Sequence, residues 1–428
     1  MANSMSLIRI PGCNLGPCGT VGRRFVLGAV ILILVTAMGA WLLPGRRSLP
    51  AGVSEKEYLL ATEAFQARYG RAASHVDVLS WLAEWYLSHE RFQEAIRCFA
   101  EIPTSHSEYG HMARYQQGRT LLSLHQAAAA EGEFRELISA EVVLPQIKRH
   151  YLVDARQRLR HILEVELRFE ERQQLLRETV TRREADFFEV VAYCFPSHLR
   201  WNGPDAVRWL EEFQTADKLD PGIKVALGRY RMGQGKLDEA RRLLEEVVAD
   251  RPDDRGAIAA LIACLREADD QAELARRFDS LPPLAIDDPW LLLVQRGQFA
   301  NDHSRSADAI AAFEILLKQD PTSSEAWAGL SQAFLISGDT ERRKRALVMS
   351  SVLGRIQNNL GKIFREPREP ESYLFVLELC AEIDLAEEGQ ILSEFVERLA
   401  PDNPKVVAAV KLFQGKVANR PSAPALGQ

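Results

Sequence analysis

Residues 226–252 read ALGRYRMGQGKLDEARRLLEEVVADRP, and the fold turns on whether this stretch is a phosphate-binding glycine loop or one unit of a repeat. Ala226, Leu227 and Tyr230 belong to one helical pattern, which Gly233-Gln234-Gly235 interrupts. Leu237, Ala240, Leu243, Leu244 and Val247 then follow three or four apart, as on one face of a second helix. Asp250-Arg251-Pro252 ends it, so the pattern is helix, short turn, helix, proline. A G-x-x-x-x-G-K-[ST] loop needs lysine and then a hydroxyl directly after its second glycine. Here Gly233 is followed by Gln234, and Lys236 by Leu237. A G-x-G-x-x-G fingerprint fails too, because Asp238 stands at the third glycine, and no β-rich run precedes the stretch.

Recurrence decides in favour of the repeat. Gly228, Ala240 and Pro252 have counterparts 69 residues later at Gly297, Ala309 and Pro321, two periods of about 34. The unit between them, GAIAALIACLREADDQAELARRFDSLPP, again has two apolar helical faces and ends at Pro282-Pro283. After Pro321, Trp327, Leu330 and Phe334 occupy the opening positions of a further unit. Near the other end, VLSWLAEWYLSHERFQEAIRCFAEIP supplies Leu79, Leu82, Ala83, Tyr86, Ala95, Phe99 and Pro103, with Phe99 echoed at Phe134 and Ala83 at Gly118.

This pattern resembles the tetratricopeptide repeat, whose unit reads W-x2-L-G-x2-Y, then A-x3-F, then P. Trp327 and Leu330 match the opening, Gly228 and Gly297 the glycine, and Tyr86 the tyrosine. Ala95–Phe99 and Ala309–Phe313 match A-x3-F, and Pro252 and Pro321 the proline. The resemblance covers 55–140 and 216–350. It implies an all-α fold, a right-handed α-solenoid in which small rotations between stacked pairs curve the array and expose the first helix of each unit along a concave groove. Phasing the units by their small residues turns Tyr115, Arg119, Arg229, Gln298, Asn301 and Gln332 toward that groove as candidate protein-binding residues, although each is also an ordinary polar surface position.

Composition agrees with a helical protein. Of 428 residues 46% are hydrophobic and 26% charged, with few aromatics, and Ala, Leu, Arg and Glu abundant. The net charge of −6 gives no global footprint for nucleic acid, and no nucleic-acid partner is expected. Cys98, Cys194, Cys264 and Cys380 sit within apolar helical patterns and read as small buried hydrophobes. Cys13 and Cys18 have no second pair to complete a zinc site.

Residues 25–43, FVLGAVILILVTAMGAWLL, carry no charge and lie between Arg23-Arg24 and Arg46-Arg47. As a helix they would span about 28 Å, close to the hydrocarbon thickness of a bilayer. The expectation is a transmembrane or signal-anchor helix with the bulk of the chain extracytoplasmic; the alternative is a cleaved signal peptide and secretion. The expected organisation is a tail at 1–24, the span at 25–43, a linker at 44–54, repeats at 55–140 and a divergent helical segment at 141–215. Repeats resume at 216–350, followed by a connector at 351–370, helices at 371–417 and a disordered tail at 418–428.

Chemical sites are sparse. His106 and His111 are poorly spaced for a metal on one helix face and read as exposed loop histidines, and no H-E-x-x-H or G-x-S-x-G occurs. The run ERRKR at 341–345, with Arg355, Lys362, Arg365 and Arg368 beyond, is the one charge cluster of note; interleaved Glu341, Glu366 and Glu369 favour a solvated face over an anionic partner or lipid headgroups. The expected function is a non-catalytic, cofactor-free, membrane-anchored scaffold that binds proteins or peptides, suited to assembly, secretion or envelope maintenance. The alternative is an enzyme or enzyme subunit using Glu164, Glu166, Glu170, Glu171, His150 and His161 of the divergent segment, where the Glu-x-x-His signature of a di-iron site is missing.

Overall fold

The computed structural model describes residues 49–141, 148–196, 204–218, 220–365 and 369–418. The 25–43 span, the tail before it, Cys13, Cys18 and residues 419–428 lie outside these. Among the described residues there are twenty helices and no strand, and no helix is long and apolar enough to cross a membrane.

Helix α1 (Glu55–Tyr69) precedes a series of antiparallel pairs: α2 (His75–Ser88) with α3 (Phe92–Ala100), and α4 (Gly110–Ser123) with α5 (Ala127–Ala140). The stretch from Ala226 to Pro252 falls on α10 (Pro221–Gly233) and α11 (Leu237–Asp250). It is followed by α12 (Arg255–Glu267) with α13 (Gln271–Asp279), then α14 (Trp290–Asp302) with α15 (Ser306–Gln319). Next come α16 (Ser324–Ser337) with α17 (Thr340–Arg365), α18 (Pro370–Ile383) with α19 (Ala386–Leu399), and a last helix, α20 (Pro404–Ala418).

Two local devices repeat along the array. Within a pair, a small residue on the first helix faces a large one sixteen positions later: Gly118 and Phe134, Gly228 and Leu244, Gly297 and Phe313. A Cβ on Gly118 would lie 2.7 Å from the Phe134 ring, and one on Gly228 2.8 Å from Leu244, so the missing side chain lets the helices close. The second device is the turn. Glu90, His125, Asp269 and Ser304 each adopt φ between 55° and 61° just before a second helix, at the place held by Gly235 in the α10–α11 turn. This left-handed residue reverses the chain after the first helix, whose last carbonyls accept the turn amides.

The expected connector differs. Residues 351–365 continue α17, which runs for 26 residues. Ala346, Met349, Val352, Leu353, Ile356, Leu360 and Ile363 hold one apolar stripe through the whole length and are buried. A Cβ on Gly354 or Gly361 would meet nothing within 4 Å.

The divergent segment is also helical: α6 (Arg149–Val165), α7 (Phe169–Thr181), α8 (Phe187–Cys194) and α9 (Pro204–Ala216). It joins distant parts of the chain. Helix α8 packs on α19, with Phe187 edge-on to Tyr373 at 5.4 Å and the Tyr193 hydroxyl donating to Glu387 at 3.0 Å. Arg183 pairs with Glu394 at 3.4 Å, and Arg398 donates to the Arg183 carbonyl. Val190, Val191, Cys194 and Phe195 share one apolar core with Leu377, Leu392 and Phe413. The array therefore curls until its middle meets its C-terminal helices.

Candidate functional site

The curl encloses a cleft of about 1200 Å³. One wall consists of first helices of successive pairs: Val225, Arg229 and Met232 on α10, Ala263 and Arg266 on α12, Leu291, Val294 and Gln298 on α14. The facing wall is the turn between α6 and α7, from Glu166 to Glu171.

Ion pairs hold that turn. The Arg168 guanidinium donates to Glu131 at 2.6 Å, to Glu171 at 2.7 Å and to Glu166 at 2.9 Å, and Arg135 bridges Glu131 and Glu171. Burial pushes Glu166 up to about 7, against the opposing pull of Arg168. Glu131 shows the other balance: burial raises it, but its bonds from Arg168 and Arg135 prevail and the carboxyl lies below its usual range. Arg229 Nη1 donates to the Leu167 carbonyl at 3.1 Å and its guanidinium lies 5.3 Å from the centre of Phe169, tying α10 to the turn. At the far end, the Trp290 amide donates to Glu170 at 2.9 Å, and the Trp290 and Phe169 rings stack with centroids 6.4 Å apart.

Of the six residues expected to face a groove, Arg229 and Gln298 line this cleft. The other four do not. Tyr115 is buried, its hydroxyl donating to Asp154 and its ring 5.0 Å from Tyr151. Arg119 lies over Tyr115 and donates to Gln116. Asn301 is buried and donates to the Gly329 carbonyl at 3.0 Å, making it a bond between successive units. Gln332 is exposed outside the cleft. These positions lie on first helices, but α6 packs over Tyr115, while Asn301 points along the stack. Nothing in the repeat pattern pointed to the Glu166–Glu171 wall, because the spacing within a single helix pair cannot show which distant turn it meets.

The residues proposed for hidden chemistry are taken up in structural contacts. Glu164 pairs with Arg160, Glu166 and Glu171 with Arg168, and Glu170 with the Trp290 amide. His161 packs edge-on to Trp209 at 4.9 Å and His150 on Tyr151 at 4.0 Å. Among the described residues, no three His, Cys, Asp or Glu side chains converge as metal ligands would. His111 is not the exposed loop residue expected: it is buried in α4, and burial lowers its pKa. Cys98, Cys194, Cys264 and Cys380 are buried and free, as their patterns indicated.

The tetratricopeptide repeat profile matches residues 225–278 and 296–342, which take in most of α10 to α16, so this part of the chain consists of tetratricopeptide repeats. No curated protein sequence matches. Solved structures of similar helix pairs include a point mutant of MamA at 20% identity, covering 42% of this chain and 97% of that one, with a TM-score of 0.26. The human IFIT1 dimer with PPP-AAAA is 12% identical over 82% of this chain and 96% of that one, at 0.33. Yeast Tom70 is 9% identical over 85% and 96%, at 0.28.

Proposed function

We propose that this protein is a non-catalytic, membrane-anchored scaffold that holds partner proteins in the cleft between its repeats and its α6–α7 turn. The observation that carries the reading is the cleft itself: one wall is built from the first helices of three successive units, with the half-buried Val225, Met232 and Leu291 between charged side chains. At about 1200 Å³ it exceeds the range of ordinary small-molecule pockets, which suits a stretch of polypeptide. Residues 25–43 supply the anchor, and the repeats lie on the extracytoplasmic side, a setting suited to assembly, secretion or envelope maintenance.

A photo-cross-linking amino acid at Gln298, compared with one at exposed Lys344, tests the binding role in native membranes. Discrete adducts from position 298 and none from 344 support it; no adduct from 298 refutes it. Alkaline carbonate extraction tests the anchor, since the full chain stays with the membrane and a variant lacking 25–43 leaves it. Protease protection of sealed vesicles reports the side.

A further inference from the structure

The charge around the cleft is uneven. Ten carboxylates line it against four guanidiniums. Three of those four are already engaged within the protein. Arg168 is surrounded by Glu131, Glu166 and Glu171. Arg266 pairs with Asp302 at 2.6 Å and donates to Gln295, while Arg229 is spent on the Leu167 carbonyl and the Phe169 face. Most of the acids are engaged too: Glu131, Glu166 and Glu171 hold Arg168, and Glu170 accepts from the Trp290 amide. Asp220 and Asp254 cap α10 and α12, but Glu267 is exposed at the end of α12, and Asp287 is 77% exposed and shares Arg255 with Asp288. Between these acids lie Val225, Met232, Leu291 and Val294, and the stacked pair Phe169 and Trp290.

We infer that the occupant of the cleft is a cationic, extended polypeptide segment in which lysine or arginine alternates with apolar residues. This rests on the scaffold reading above and adds the chemistry of the partner. An extended chain sends successive side chains to opposite sides, so one set meets the apolar floor while the other reaches the acidic rim. An acidic or neutral segment would leave the rim carboxylates repelled or indifferent, so the arrangement selects by charge as well as by shape.

The test uses the full-length protein in detergent and three dye-labelled decapeptides, alternating Lys-Leu, Ser-Leu and Glu-Leu, followed by fluorescence anisotropy. The Lys-Leu peptide is expected to bind at least about tenfold more tightly than the other two, with the advantage shrinking as salt rises. The variant E267K/D287K changes two exposed side chains, and circular dichroism checks that it remains helical. It should weaken Lys-Leu binding about tenfold and strengthen Glu-Leu binding. Equal binding of all three peptides overturns the inference yet leaves the scaffold reading intact. Preference for Lys-Leu that the variant does not reduce also overturns it, by placing the contact elsewhere. If no peptide binds, the inference fails, and adducts from position 298 then decide separately whether the scaffold reading survives.

Discussion

The Phe313 ring offers a prediction with a change of sign. It is buried between two first helices, and a Cβ on either Gly297 or Gly329 would come closer than 3.0 Å to three of its ring atoms. The ring is pinched from both sides and has nowhere to withdraw. Replacing Gly297 by alanine therefore sets two effects against each other. Alanine favours the helix over glycine by about 1 kcal/mol, while forcing a methyl into a filled contact costs about 1–3 kcal/mol. The net expectation for G297A is a loss of up to about 2 kcal/mol. In an F313A background, itself about 3–5 kcal/mol less stable, the obstruction is gone and G297A should stabilise by about 1 kcal/mol. Hydrogen exchange of amides in α14, α15 and α16 is the suitable assay, because stacked repeats open locally and a global midpoint blurs the effect. Equal effects of G297A in both backgrounds would refute the idea that this glycine exists to admit the ring.

Other contacts in the array carry four further outcomes. Ser304 holds φ 57° in the α14–α15 turn, so S304G should raise the local opening free energy by about 1 kcal/mol in the same exchange experiment; a loss would show that the hydroxyl matters more than the backbone. Arg156 is 2% exposed and bridges Glu141 to Glu184, which keep Arg182 and Arg149, so R156A should cost about 1–3 kcal/mol, read as a lower thermal midpoint. Glu166 is raised from 4.5 to about 7, so between these values the folded state binds more protons than the unfolded one. Its burden on stability is absent below pH 4.5 and complete above 7; the wild-type midpoint should fall between pH 5 and 8, and E166Q should fall less. Burial pushes the Cys98 thiol up to about 12 and raises those of Cys194, Cys264 and Cys380, so mass spectrometry should find all four unmodified by maleimide until the chain unfolds.

What the sequence made legible was local. The pairing of α10 with α11, the packing of Gly228, Gly297 and Phe313, and the buried face of Leu79, Leu82, Ala83 and Tyr86 all follow from spacings within one or two units. The turns were legible only where glycine occupies the left-handed position, as at Gly235; Glu90, His125, Asp269 and Ser304 do the same work without announcing it. The expected connector missed the apolar stripe that carries helix α17 through 351–365. The site was half legible for a different reason. Arg229 and Gln298 follow from the phase of their own helices, but the opposite wall comes from residues 166–171, and Glu170 meets Trp290 across 120 positions of chain. Long-range closure of that kind leaves no periodic mark.

The curl of the array depends on its middle touching its C-terminal helices, and the distance between spin labels at positions 183 and 394 measures this directly. Arg183 and Glu394 lie in contact although 211 residues separate them, so pulsed electron resonance should give a single narrow distribution below about 25 Å, allowing for two label tethers. In an array that ran on without curling back, about eleven helix-to-helix steps of about 8–10 Å would carry the labels far beyond about 50 Å, and such a distribution would contradict the closed architecture.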